Sequence, residues 1–387
     1  RIGIPAEIEY LSDRFMELVK CAVVEAKKLG MTVVLYDEAM YPSGSAHGMV
    51  VKKNPAYASR GLKMTEHICN GPLLIDLSTE ICAAEGEKPV LAAAVRKLSG
   101  KEIDPEKTII LDMSKNTLEF TPPEDGEWSV LIFKEVYSKG HIRGIHFGED
   151  DKEPNAPPSS DLLNPNAVRE FLNITHERYY EVLHEYFGNT IMAMFTDEPS
   201  ILGRGGIKGL RAWTNDFLSW FLSHGGRKED IPLLWFDGGK KSENARNIYR
   251  KAVTKKLEQS YYGQISKWCE EHGIALTGHP ERSDEIGLLK YFHIPGQDVV
   301  WRWVAPEDGL AIEGTHSTMA KCASDAARHS GKRRNANECF ACCGKDKIEW
   351  SFTAEDMKWY MDWLFVRGVN LLYPHAFFYS IRGERRI

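Results

Sequence analysis

The sequence predicts an α/β chain: a (β/α)8 TIM barrel with a β-rich insertion after its second strand. Three observations predict it. A unit made of a helix-like stretch, a glycine, an apolar run and a polar or acidic end recurs along the chain without sequence identity. The runs are apolar almost throughout, as parallel strands buried on both faces require. No glycine-rich phosphate loop follows any of them, which argues against a doubly wound open sheet.

Taken in order, the first unit is AKKLG then MTVVLYDE, ending at Asp37 and Glu38. The second, HEYFG then NTIMAMFTDE, ends at Asp197 and Glu198. The third, CEEHG then IALTGHPE, carries His279 and Glu281, and the fourth, RHSG then KRRNANE, carries Asn337 and Glu338. The fifth, FVRG then VNLLYPH, ends at His375. Gly30, Gly188, Gly273, Gly331 and Gly368 fall just past helix ends, where a left-handed residue is wanted. Asn164-Pro165 reads as a cap followed by a proline at the first helical position. Ser317 and Thr353 are placed as caps, and Met357, Tyr360, Met361 and Leu364 recur at helical spacing in the helix after Thr353.

Two further strands are expected, one within WSVLIFKEVYSKGHIRGIHFG and one around Asp298 in GQDVVWRWV. The missing first strand is expected at or before RIGIP. A chain opening on Arg1 without Met reads as trimmed at the N-terminus. On this count Glu198 lies on the fourth strand and Glu338 on the seventh. Residues 1–54 and 139–387 then form the catalytic barrel. Residues 55–138, with PLLIDL, PVLAAAVRKL, KTIILDM and TLEFTP between turn signals, form the β-rich insertion. The polar, proline-rich EDDKEPNAPPSS at 149–160 is expected as a loop on the catalytic rim.

Composition narrows the function. Lys plus Arg number 49 against 55 Asp plus Glu, a net charge of −6. That is no electrostatic footprint for nucleic acid. No apolar run reaches the ~18 residues of a membrane span. Eight cysteines in 387 residues are too sparse for a disulfide scaffold, and they read as reduced, in a cytoplasmic setting.

Two carboxylates carry the chemistry, Glu198 in FTDEPS and Glu338 in NANECF, each just past an apolar run. Glycoside hydrolysis needs one carboxylic acid to protonate the leaving oxygen and a second carboxylate as nucleophile or as base for water. Strand ends hold such groups rigidly, although acids there also cap helices or pair with arginine. Asp197 either adjusts its neighbour by like-charge repulsion or binds sugar hydroxyls. Asp37 and Glu38 lead into the small-residue loop PSGSAHG, suited to a polar ligand or to a structural turn. His279, Glu281, Asn337, His375 and Tyr379 complete the candidate substrate contacts. The aromatics Tyr36, Tyr41, Trp301, Trp303 and Tyr373 lie near the same ends. His279 and Glu281 also read as a metal pair, with Glu281 a ligand for a hard cation; an ion pair of Glu281 with Arg282 is the competing reading. Cys339, Cys342 and Cys343 lack the second knuckle of a zinc ribbon and read as structural.

The combination LYDEAMYPSGSAHG, DLLNPNAVREFL, AMFTDEPS, LTGH, NANECF and GVNLLYPHAFFYS resembles glycoside hydrolase family 106, the α-L-rhamnosidase-type bacterial barrel glycosidases. The resemblance implies a (β/α)8 catalytic domain acting on a carbohydrate, with Glu198 as general acid and Glu338 as second carboxylate, a base where the enzyme inverts. It also implies a calcium ion in the sugar subsite. The stretch CFACCGK after Glu338 departs from that family's pattern. Two other readings stand beside it: a non-catalytic carbohydrate-binding barrel, and a metal-dependent hydrolase using His279, Glu281 and His375.

Overall fold

The first helix, Asp13–Lys28, starts where the Ser12 side chain accepts the Phe15 amide, and its last turn carries Lys27 and Lys28. Both features satisfy a helix terminus. It ends at Gly30, whose φ of 67° suits glycine, and strand β1, Val33–Tyr36, follows. In this computed structural model, residues 4–80, 86–305, 308–340, 348 and 351–375 are described.

The next strands form a block of their own. They are β2 (Arg60–Cys69), β3 (Leu73–Asp76), β4 (Lys88–Ser99), β5 (Glu102–Leu111), β6 (Thr117–Phe120) and β7 (Trp128–Tyr137). Two helices, Pro165–Ile174 and His176–Leu183, lead to β8, Ile191–Asp197. The short β9 is Arg211–Ala212. Helical segments between Lys240 and Glu271 precede β10, Ala275–His279. The remaining strands are β11 (Gly296–Asp298), β12 (Ala336–Cys339) and β13 (Leu371–Pro374), with helices Met319–His329 and Ala354–Val366 before the last two.

These strands make four sheets. Two are parallel and three-stranded, β1-β8-β10 and β11-β12-β13. A five-stranded sheet, β5-β4-β7-β2-β9, and a pair, β3-β6, are antiparallel throughout. The predicted (β/α)8 barrel is therefore corrected. Among the described residues no ring of eight parallel strands closes, and most strands pair antiparallel. The glycine–apolar–acid unit is a local signal. It specifies a strand after a helix, but the number of strands in a sheet depends on contacts between units.

The strand expected within WSVLIFKEVY illustrates the error. Its residues are buried on both faces, Ser129, Lys134 and Glu135 with the apolar ones, but as the antiparallel β7 between β4 and β2. A largely apolar run does not distinguish the two environments. In the fourth unit only Ala336–Cys339 is extended. Ser317 is not the cap residue; Thr318 precedes the helix, without a side-chain capping bond. Asn164 and Thr353 do cap, Thr353 in a reciprocal box with Asp356.

The core follows the sheets. Leu35, Ile191, Met194 and Leu276 of the first parallel sheet pack with Phe171, Tyr261, Tyr262 and Ile265 of the covering helices. Val299, Trp301, Cys339, Tyr360 and Leu364 make a second cluster around the other parallel sheet. Ala94, Trp128, Val130 and Ile132 form a third, with Ile75 and Phe120 of the β3-β6 pair. Full burial of a side chain such as Phe171 contributes about 1.5–3 kcal/mol.

Candidate active site

Glu198 and Glu338 sit at the middle strands of the two parallel sheets. Asp197 is the last residue of β8 and Glu198 follows it; Glu338 lies in β12. Register aligns the other groups. His279 of β10 is opposite Asp197, and Asp298 of β11 is opposite Glu338. The strands meet closely here because of glycines. A Cβ on Gly278 would collide with the Thr196 carbonyl, and one on Gly296 with the Gly278 carbonyl. Glu198 itself has φ 39°, with its amide donated to the His279 carbonyl at 3.2 Å. A left-handed glutamate costs about 1–3 kcal/mol and persists only where surroundings enforce it.

His279, 2% exposed, is the hub. Its Nε2 is 2.9 Å from Glu338 Oε2 and 3.7 Å from Asp197 Oδ1, and its Nδ1 is 4.0 Å from Glu198 Oε1. Placement on opposite sides of one imidazole limits the separation of the Glu198 and Glu338 carboxylates to at most roughly 9 Å, an upper bound compatible with a paired-carboxylate site. Burial lowers the proton affinity of His279. The hydrogen bond to Glu338 and the charges of Asp197, Glu338 and Asp298 outweigh it, and the pKa rises to about 10. His279 is thus an imidazolium at neutral pH. Burial alone would raise Glu338, but the bond and charge of His279, with His375 adding, hold it below the usual carboxylate range. His375 Nε2 is 3.7 Å from Glu338 Oε1.

Two further acids titrate unusually. Burial pushes Asp197 up to about 7, against the pull of His279. The Tyr36 hydroxyl lies 2.6 Å from Asp197 Oδ2 and also contacts the Met40 carbonyl. The phenol is the donor in both contacts, and its bond to the Asp197 carboxylate works against the rise that burial causes. Burial likewise pushes Asp298 up to about 8, with Glu338, Glu198 and Asp197 adding to the rise against His279. Asp298 Oδ1 has no hydrogen-bond partner among the described residues.

Two cavities adjoin these groups. One, of about 390 Å³, is lined by Glu198, Tyr41, Ser200, Arg204, Asp151 and Glu281. The other, of about 420 Å³, is lined by Tyr36, Phe195, Asp197, Glu338, Tyr373 and His375. In the first, Arg204 donates to the Tyr41 hydroxyl at 3.0 Å and to Asp151 from Nε at 2.7 Å. Burial raises the Tyr41 phenol above its ordinary value, and the charge and hydrogen bond of Glu198 add to the rise. A larger hollow of about 1060 Å³ beside Arg211, Trp235 and Arg246 holds none of the strand-end acids.

The sequence-derived candidates divide accordingly. Asp197, Glu198, His279, Glu338 and His375 come together. Glu281 is exposed and lines the Glu198 cavity, while Arg282 pairs with Asp284 at 2.9 Å. Asp37 and Glu38 are buried. Asp37 accepts from Ser43 at 2.6 Å; Glu38 accepts the amides of Ala39, Ser45, Ala46 and His47. Their visible work is to pin the PSGSAHG loop. Asn337 is buried between strands, accepting from Gln297 Nε2 at 3.0 Å. Tyr379, Cys342 and Cys343 lie outside the described residues, and Cys339 is buried in the core. Sequence reasoning missed Arg204, Asp151 and the role of Asp298. An arginine flanked by glycines in GRGG was the available signal for the first.

Asp197, His279 and Glu338 place one ligand atom each within 4.8 Å of one another. Two oxygens and a protonated imidazole are not the six to eight oxygen donors that calcium takes. This trio does not fit the calcium ion that the sequence resemblance implies.

Among the described residues no helix is long and apolar enough to cross a membrane. No protein-family model matches the chain, and no curated protein matches it. A solved structure does: that of a rhamnosidase from Novosphingobium sp. PP1Y, at a TM-score of 0.59 and 14% identity. The match covers 95% of this chain and 50% of the other, so the chain spans about half the length of that rhamnosidase. At this identity the likeness is one of fold: the chain shares the fold of the matched half of that rhamnosidase.

Proposed function

We propose that the protein is a glycoside hydrolase that removes a terminal sugar, of the α-L-rhamnosidase type represented by family 106. The observation that carries this reading is the convergence of Glu198 and Glu338 on the buried His279, Glu338 bonded to Nε2 at 2.9 Å and Glu198 4.0 Å from Nδ1. Glu198 protonates the glycosidic oxygen. Glu338, kept ionised by the His279 imidazolium, activates water or attacks the anomeric carbon. Asp197, His279 and His375 hold these groups and orient hydroxyls, while Tyr41, Arg204 and Glu281 form the wall beside Glu198. The fold likeness to a rhamnosidase supports the substrate class. No step is routed through calcium.

The test is a panel of aryl glycosides that includes the α-L-rhamnoside, assayed with and without calcium. The expected result is hydrolysis of one glycoside, lowered about 10²–10⁴-fold by Glu338→Gln with sugar binding retained. Sugar binding without hydrolysis by the wild-type protein would favour the carbohydrate-binding alternative.

A further inference from the structure

We propose that His47, His146 and Glu149 bind one divalent transition-metal ion of the zinc class, apart from the acids at the strand ends. Their ligand atoms lie within 4.8 Å of one another. His47 Nε2 is 2.9 Å from Glu149 Oε2, and His146 Nδ1 is 3.1 Å from Glu149 Oε1. Donors bonded at 2.0–2.1 Å to a tetrahedral ion stand about 3.3 Å apart. The two histidine–Glu149 separations differ from that by only a few tenths of an ångström.

Tautomers sharpen the argument. His146 Nε2 is 3.1 Å from the Ile8 carbonyl, which only accepts, so that nitrogen carries a proton. In the neutral ring Nδ1 is then a lone pair aimed at a carboxylate oxygen. That lone pair points where a metal ion shared with the carboxylate would sit. An imidazole whose far N–H is held by a backbone carbonyl is the arrangement that presets a histidine for metal ligation. The carboxylate is fixed as well, since Glu149 Oε2 accepts the His146 amide at 2.9 Å. All three side chains are 14–16% exposed, which leaves an entry path and room for water as a fourth ligand.

The site joins two segments that shape the Glu198 cavity. The His47 amide donates to Glu38, so the ion holds the PSGSAHG loop. Glu149 precedes Asp151, whose carboxylate fixes Arg204 beside Tyr41. The ion acts as a clamp on the cavity wall and takes no part in bond cleavage.

The experiment strips the protein with chelator, titrates it with zinc by calorimetry, and records zinc-edge X-ray absorption of the complex. One equivalent should bind, with two imidazoles per ion, and raise the Tm. His47→Gln and His146→Gln should each weaken binding by more than the roughly 10–100-fold that loss of an outer-shell partner causes. His279→Gln should leave it unchanged. Absence of stoichiometric binding would overturn the proposal. So would a single imidazole per ion, which is what the Asp197–His279–Glu338 trio offers, and this spectrum needs no variant to fold.

Discussion

In the antiparallel sheet, Arg60 and Glu135 are 3% and 2% exposed and meet at 2.8 Å, one cation to one anion. Arg60 also donates to the Gly86 carbonyl and lies 4.3 Å from the Tyr137 ring centroid. At the ends of β8, β10, β11 and β12 the arrangement is different. Asp197, Glu198, Asp298 and Glu338 surround the single imidazolium of His279, and two of these acids are pushed to about 7 and about 8. In the first region the buried Arg60 meets Glu135 and the Gly86 carbonyl through Nη1, which anchors structure, while its Nε has no hydrogen-bond partner among the described residues. The second keeps more carboxylates than its cation can neutralise, and so stores protons near neutral pH. Clusters of that kind mark functional sites more often than structural ones.

The comparison can be broken most forcefully at Arg60. Arg60→Ala leaves Glu135 as an uncompensated buried charge and should destabilise the fold by about 3–5 kcal/mol, read by urea denaturation. Activity per folded molecule should be unchanged. A stability loss below about 1 kcal/mol would remove the contrast between the regions.

Smaller, but more specific, is the pH dependence at His279. Its pKa is near 10 in the folded protein against an ordinary 6.5. Between those values the native state holds a proton that the unfolded chain has released. The contribution to stability is complete below pH 6.5 and is lost as pH rises towards 10. His279→Gln should flatten thermal stability across that window. Asp298 acts in a lower pH window. Its raised pKa makes the native state bind the extra proton from about 4 to 8, so stability falls over that range. Asp298→Asn should be close to neutral at acid pH and stabilising above pH 8, measured by Tm against pH.

Much of this site was legible because its signals are local. The glycine–apolar–acid units placed Asp197, Glu198, His279 and Glu338 at strand ends, and Gly30, Gly188, Gly273, Gly331 and Gly368 all have positive φ. The closure of the strands was not legible. Nothing within WSVLIFKEVY distinguishes a central antiparallel strand from a buried parallel one. Nor could spacing tell that Glu38 turns inward to collect four backbone amides while its counterpart Glu198 faces a cavity. That difference depends on the loop after each strand. Arg204 was missed because its partners, Tyr41 and Asp151, are distant in sequence.

The central claim is that Glu198 supplies the proton and Glu338 the attack, through one shared histidine. The most direct measurement is the leaving-group dependence of hydrolysis for the two Gln variants. Glu198→Gln should lose about 10²–10⁴-fold on a glycoside with a basic leaving group and far less on a dinitrophenyl glycoside, which leaves unassisted. Glu338→Gln should lose activity on both alike. Equal sensitivity of the two variants to the leaving group, or wild-type rates in either, would contradict the assignment.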